Sequence, residues 1–197
     1  MSFLGLPTER HQSPKRTLQR RKATALRLID RFAHEFCAIE YDLLWDAPII
    51  NAQAWRQGSV RRVTVYGGLT RHPAITACGL ALMLAHETGH HLGGPPLDPD
   101  LRWPTWQGQA DYWAATVGMP KVFGRDACRL TLRGARQIAA LHLEFLDEDN
   151  EPDITPQERS AIFRAGSLGE SDPACLRAAF DRMIKERIGI CLEVTHV

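Results

Sequence analysis

Between Pro73 and His91 the chain reads PAITACGLALMLAHETGHH, an apolar stretch broken only near its end. At helical spacing such a segment is apolar on nearly every face, so it predicts a helix that the rest of the chain must wrap and bury. Gly79 in its middle costs about 1 kcal/mol relative to alanine, and is expected to mark a close helix–helix approach. Gly93-Gly94-Pro95-Pro96 then stops the helix.

The other segments supply what would wrap it. Ser13-Pro14 reads as an N-cap with proline in the first turn, opening a helix over about 14–38 with Leu18, Leu26, Ile29, Phe32, Ala33 and Phe36 inward. Residues 39–58 read as irregular chain or short strands. Ser59 to Gly68 is the best strand, with Val63 and Val65 on one face and Thr64 and Tyr66 on the other; Arg61 and Arg62 suit a sheet edge. Helices are expected over 108–118 and 125–145, then from a Thr155–Glu158 capping box to Gly166, and last from Asp172-Pro173 to Gly189 along Leu176, Phe180, Met183 and Ile184. The fold class is α+β, mainly helical, with a small sheet whose edge strand precedes the buried helix. A chain of 197 residues suits a single domain over 1–197, an upper lobe over 1–92 and a helical lower lobe over 93–197.

The polar residues within the apolar stretch carry the chemistry. His86 and His90 lie four apart, so on a helix both rings leave one face and can share a metal ion. Glu87 is offset by one position, toward a metal-bound water. This H-E-x-x-H spacing is that of zinc hydrolases, with two ligands and a general base; zinc lowers the pKa of its water toward 7 and Glu87 takes the proton. A solvated helix face would scatter its polar residues among lysines and glutamates, whereas here Leu80 to Ala85 precede them. Burying two imidazoles and a carboxylate without partners costs several kcal/mol, which a bound cation removes.

LAHETGHHLGG resembles the active-site helix of zincin metallopeptidases, and the later WQGQADYWA resembles the second motif of the gluzincin branch, roughly E-x-x-A-D or E-x-x-x-D. The similarity spans about 60 residues, from the strand to Ala115. It implies a zincin-like domain, a Zn2+ cofactor, peptide-bond hydrolysis and a peptide or protein substrate. In the branch motif the glutamate binds zinc and the aspartate orients a ligand histidine; here the glutamate position is Gln107 and the aspartate is Asp111. A neutral amide is a poor zinc ligand. Asp111 as third ligand is favoured; the alternatives are Gln107 through its carbonyl oxygen with Asp111 behind a histidine, or a degenerate site. Metzincin ligation is excluded, because its last position falls on Pro96. The resemblance also assigns the strand Val63, Thr64, Val65 and Tyr66 to substrate pairing, as an edge above the metal. Tyr112 and Tyr66 are candidate donors to the oxyanion. His91 reads as packing or as support behind a ligand, His72 as a cap or loop residue, and Trp103, Trp106 and Trp113 as packing, with a hydrophobic specificity pocket as the alternative; Asp98 and Asp100 are outside candidates.

Composition narrows the alternatives. A net charge of +1 argues against a general nucleic-acid or membrane-surface binder, and the basic stretch Lys15–Lys22 reads as a solvated helix face. No apolar run spans a bilayer and no signal-peptide h-region opens the chain, so no membrane contact and a cytoplasmic location are expected, or a secreted one if a leader has been removed. Cys37, Cys78, Cys128, Cys175 and Cys191 have no CxxC spacing; buried free thiols are expected, with a Cys128–Cys175 pair open in an oxidising compartment. The competing function, motivated by Gln107, is a peptidase-fold binding or regulatory protein that no longer turns over.

Overall fold

The computed structural model describes residues 15–145, 154–171 and 173–194, with side chains to residue 187. The expected cap at Ser13-Pro14 and the Asp172 start lie outside the described residues. Helix α1 (Lys15–Glu35) buries Ala25, Leu28, Ile29 and Phe32, with Phe36 just beyond its end. Ile29, Phe32 and Phe36 face inward as expected, Leu18 and Ala33 are half-buried, and Leu26 faces solvent at 43% exposure while Ala25 and Leu28 take up the buried stripe.

Three strands follow: β1 (Ile39–Leu44), β2 (Ala52–Gln57) and β3 (Val60–Tyr66), in the spatial order β1-β3-β2. β3 runs parallel to β1, with Ile39 opposite Arg61, and antiparallel to β2, with Ala52 opposite Val65. The expected edge strand is therefore the centre of the sheet. The reason is visible across the ladder: Val63, Thr64 and Val65 are all buried, so both faces are covered. Arg62 is accommodated by Glu40 directly opposite on β1, 2.7 Å away, and by lying over the Trp55 ring on the other side.

The short α2 (Gly67–Arg71) leads to α3 (Ala77–Leu92), which starts four residues later than the sequence suggests because Thr76 caps it, accepting from the Cys78 N–H. Then come α4 (Gln107–Trp113), a five-residue π turn (Ala114–Gly118), α5 (Met119–Phe123), α6 (Ala127–Phe145), α7 (Pro156–Ser167) and α8 (Ala174–Val194). Thr155 and Glu158 close both arms of the expected capping box on α7. α8 does not stop at Gly189 but runs on to Val194; about 1 kcal/mol for one interior glycine is too little to end a helix of 21 residues.

α3 lies at the centre, with every residue from Gly79 to His91 buried. It packs against the sheet, α1, α4 and α6 in the larger of two cores. A smaller core of Trp106, Ile154, Ile162, Ala179 and Met183 joins α4, α7 and α8. Gly79 meets the expectation of close packing: a Cβ there would stand 2.6 Å from Gln137 Oε1, which accepts the Gly79 and Thr76 N–H groups from α6. At Gly89 the backbone of α4 takes the space, since a Cβ would lie 2.9 Å from the Ala110 carbonyl oxygen. Gly89→Ala is expected to lower unfolding free energy by about 1–3 kcal/mol, because one of two packed backbones must move; chemical denaturation beside the unsubstituted protein checks this.

Cys37, Cys78, Cys128 and Cys175 are free thiols, so no Cys128–Cys175 bond is present. Their expected burial is corrected: Cys37 is exposed and the other three are half-buried. Among the described residues no helix is long and apolar enough to cross a membrane.

Candidate metal centre

α3 presents His86, Glu87 and His90 in its buried second half, with exposures of 0%, 0% and 1%. Their ligand-type atoms all fall within 4.8 Å of one another. The two imidazoles meet edge to face, ring centres 4.5 Å apart, as i, i+4 spacing on one helix requires.

Each group is held from outside the helix. His90 Nδ1 donates to the Thr105 carbonyl at 2.7 Å, while the Thr105 N–H donates to the His90 carbonyl at 2.9 Å. A carbonyl can only accept, so the His90 proton sits on Nδ1 and its lone pair on Nε2. That Nε2 has no hydrogen-bond partner and stands 4.0 Å from Glu87 Oε2. Glu87 Oε2 accepts the Ala54 N–H of β2 at 2.7 Å, and Glu87 Oε1 has no partner. The strand beside the glutamate is thus β2, one of the two outer strands, and not β3.

The second motif comes in on α4. Asp111, at 0% exposure, places Oδ1 2.6 Å from His86 Nδ1, and its Oδ2 has no partner. In this geometry Asp111 holds the His86 ring through Nδ1, the kind of carboxylate support common behind metal-ligating histidines. Gln107 directs its amide toward the His86 ring without a well-aligned hydrogen bond from Oε1.

One participant was not foreseen. Arg159 of α7 is buried and donates to Asp111 Oδ1 at 2.6 Å, its Nη2 lying 3.2 Å from His86 Nδ1 and 3.5 Å from His86 Nε2. Both the arginine and the Nδ1 proton point at the same carboxylate oxygen, so the arginine–imidazole approach is a packing contact and not a second hydrogen bond. A signal for Arg159 does exist in the sequence. It sits three and four residues before Ile162 and Phe163, on the buried stripe of α7, where an arginine without a partner is not tolerated.

Burial dominates the electrostatics. It lowers both His86 and His90 well below the usual imidazole range, with Arg159 adding to the effect at His86 and His86 adding to it at His90. Both rings are then neutral, the form that binds metals. Burial pushes Glu87 up to about 8, against the Ala54 N–H bond and the Arg159 charge. It also raises Asp111, opposed by Arg159.

The remaining candidates are not brought in. Tyr112 donates to the Glu170 carbonyl at 2.6 Å and packs on the smaller core, so its hydroxyl is committed away from Glu87. Tyr66 donates to Gln53 Oε1, and its phenol is raised by burial, then by the Asp42 and Glu87 charges. As central-strand residues, Val63, Thr64, Val65 and Tyr66 have a strand on either side and offer no free ladder to a substrate. His91 bonds the Arg62 carbonyl through Nε2 and stacks on Trp103. His72 accepts the Ala74 N–H and faces Glu144. Asp98 receives the Asp100 and Leu101 N–H groups, and Asp100 pairs with Arg187.

No protein-family model, curated protein or solved structure matches the chain.

Proposed function

We propose that the chain is a zinc-dependent peptidase with His86 and His90 as metal ligands and Glu87 as general base. The observation that carries this reading is a set of orphans: His90 Nε2 and Glu87 Oε1 are buried and without partners, in a His86–Glu87–His90 cluster whose ligand-type atoms lie within 4.8 Å of one another. Unpaired groups at full burial cost several kcal/mol, and a cation facing them removes that cost. Zinc bound there would acidify a coordinated water and polarise a carbonyl. Glu87 accepts the water proton at its free Oε1 and returns it to the departing amine. Asp111 keeps the His86 ring in register, and Gln107 is the neutral side chain left for the third protein position. The outer edge of β2, where Ala54 meets Glu87, replaces β3 as the main-chain surface for an extended peptide.

A second reading has its own support. Gln107 brings no charge, Arg159 places a cation against His86, and the whole constellation is closed off from solvent. These features suit a peptidase-fold binding or regulatory protein without turnover. Metal analysis of protein purified without added zinc separates the two. The peptidase reading expects close to one equivalent of zinc and peptide cleavage. Less than about a tenth of an equivalent, with no activity after zinc addition, would leave the binding protein.

A further inference from the structure

We infer that Arg56 and Arg61 form an anion subsite beside the candidate metal centre, so that the preferred substrate is a peptide with an aspartate or glutamate within about two residues of the bond cleaved. The inference rests on the peptidase reading and names its substrate class.

The two arginines face each other across the β2–β3 ladder, Arg56 opposite Arg61. Side chains alternate along a strand, so Arg56 shares a face with Ala52 and Ala54, and Arg61 with Val63 and Val65, all four at 0% exposure. That face meets α3, because Tyr41, opposite Val63 on β1, bonds Thr88. Arg62, the next residue along, lies on the other face, where Glu40 and the Trp55 ring take up its charge. Nothing equivalent meets the pair. Among the described residues neither Arg56 nor Arg61 forms an ion pair with a carboxylate. The carboxylates nearest in the fold's loops and strands are committed: Glu40 to Arg62, Asp100 to Arg187, and Asp98 to the Asp100 and Leu101 N–H groups. Like charges directly across a ladder destabilise a sheet, and an anion between them removes that cost.

The pair stands next to the chemistry. Ala54 points its N–H away from β3, to Glu87 Oε2, and Arg56 follows two residues later, roughly 7 Å along the same strand. By the alternation of an antiparallel ladder the Arg56 main chain also faces outward, toward the side where an extended peptide would lie. The Arg56 guanidinium sits 4.7 Å over the Trp103 ring, which stacks on His91 at 5.3 Å. The His91 imidazole is lowered to about 4, by burial first and then by the Arg56 and Arg61 charges, so both charges reach the α3 residue next to His90. Arg56 is exposed and Arg61 half-buried, which leaves the pair open to a ligand. Two guanidinium groups bind a side-chain carboxylate by charge-assisted hydrogen bonds and repel lysine and arginine at the same position.

The test uses the full-length protein and three end-blocked peptides of equal length that differ at one central residue: glutamate, glutamine or lysine. Each carries a neutral coumarin, and binding is read by anisotropy on protein held metal-free with a chelator. The glutamate peptide is expected to bind about tenfold tighter than the glutamine peptide, the size of one charge-assisted hydrogen bond, and the lysine peptide more weakly than either. Arg56→Gln and Arg61→Gln should each bring the glutamate-to-glutamine ratio close to one while the glutamine peptide binds as before; both variants relieve a like-charge contact and are expected to fold. Arg56→Glu together with Arg61→Glu turns the preference to lysine. Equal affinity for the glutamate and glutamine peptides, or a preference that survives both single substitutions, overturns the proposal. So does tighter retention of an unrelated DNA duplex that is lost in the same variants, since the pair then serves nucleic acid. Binding here needs neither zinc nor turnover. Cleavage of all three peptides at one rate by zinc-loaded protein would remove the subsite and leave the peptidase reading standing, whereas glutamate-selective binding by a protein that takes up no zinc would do the reverse.

Discussion

Glu87→Gln is expected to reduce peptide hydrolysis by a factor of about 10²–10⁴, the usual range for removing a positioned general base, while zinc content stays at the level of the unsubstituted protein. Both imidazoles remain in place, and the glutamine carbonyl oxygen can still accept the Ala54 N–H that now reaches Glu87 Oε2. What disappears is the basic oxygen at Oε1. Steady-state cleavage of an unstructured peptide, with metal content measured on the same preparation, checks both halves. Undiminished cleavage would remove Glu87 from the chemistry. Loss of zinc along with activity would make Glu87 a ligand, which its 4.0 Å distance from His90 Nε2 brings into consideration.

The same substitution has an effect on stability that needs no substrate. Burial raises the Glu87 carboxyl to about 8 in the folded protein, against an ordinary value of 4.5 in the unfolded chain. A raised carboxyl contributes stability that is fully present below 4.5 and is lost as pH rises through 8, because the folded state holds a proton the unfolded state has released. His86 and His90 are lowered, so their contribution is present above 6.5 and lost as the pH falls below it. Between pH 7.5 and 9 the histidines are largely neutral in both states and Glu87 dominates the slope. Over that window the metal-free protein is expected to lose about 0.8 kcal/mol of unfolding free energy. Glu87→Gln should be flat there, and saturating zinc should flatten the unsubstituted protein, since a neighbouring cation favours the ionised carboxylate. Urea denaturation at the two pH values, with and without a chelator, reads all three; an equal slope in Glu87→Gln would place the titrating group elsewhere.

Much of the local architecture is written in short stretches of chain. The α3 segment announces its burial by lacking any polar face, and the two histidines are paired by a spacing that holds on any helix. The capping box at Thr155 and Glu158 works within four residues and forms as expected. Errors enter wherever a partner lies far along the chain. Arg61 and Arg62 suggest an edge strand until Glu40 and Trp55 are known to flank Arg62. Tyr112 stands beside Asp111 in sequence, yet its hydroxyl turns to Glu170.

By itself the sequence determined that one helix would be buried and that it would carry two imidazoles and a carboxylate in metal-binding register, because periodicity and spacing are properties of a single element. Only the tertiary structure decided which strand lies against Glu87 and what holds Asp111. The first depends on how three strands order themselves in a sheet. The second depends on Arg159, 48 residues beyond Asp111, whose burial becomes tolerable only when α7 and α4 pack with that carboxylate between them.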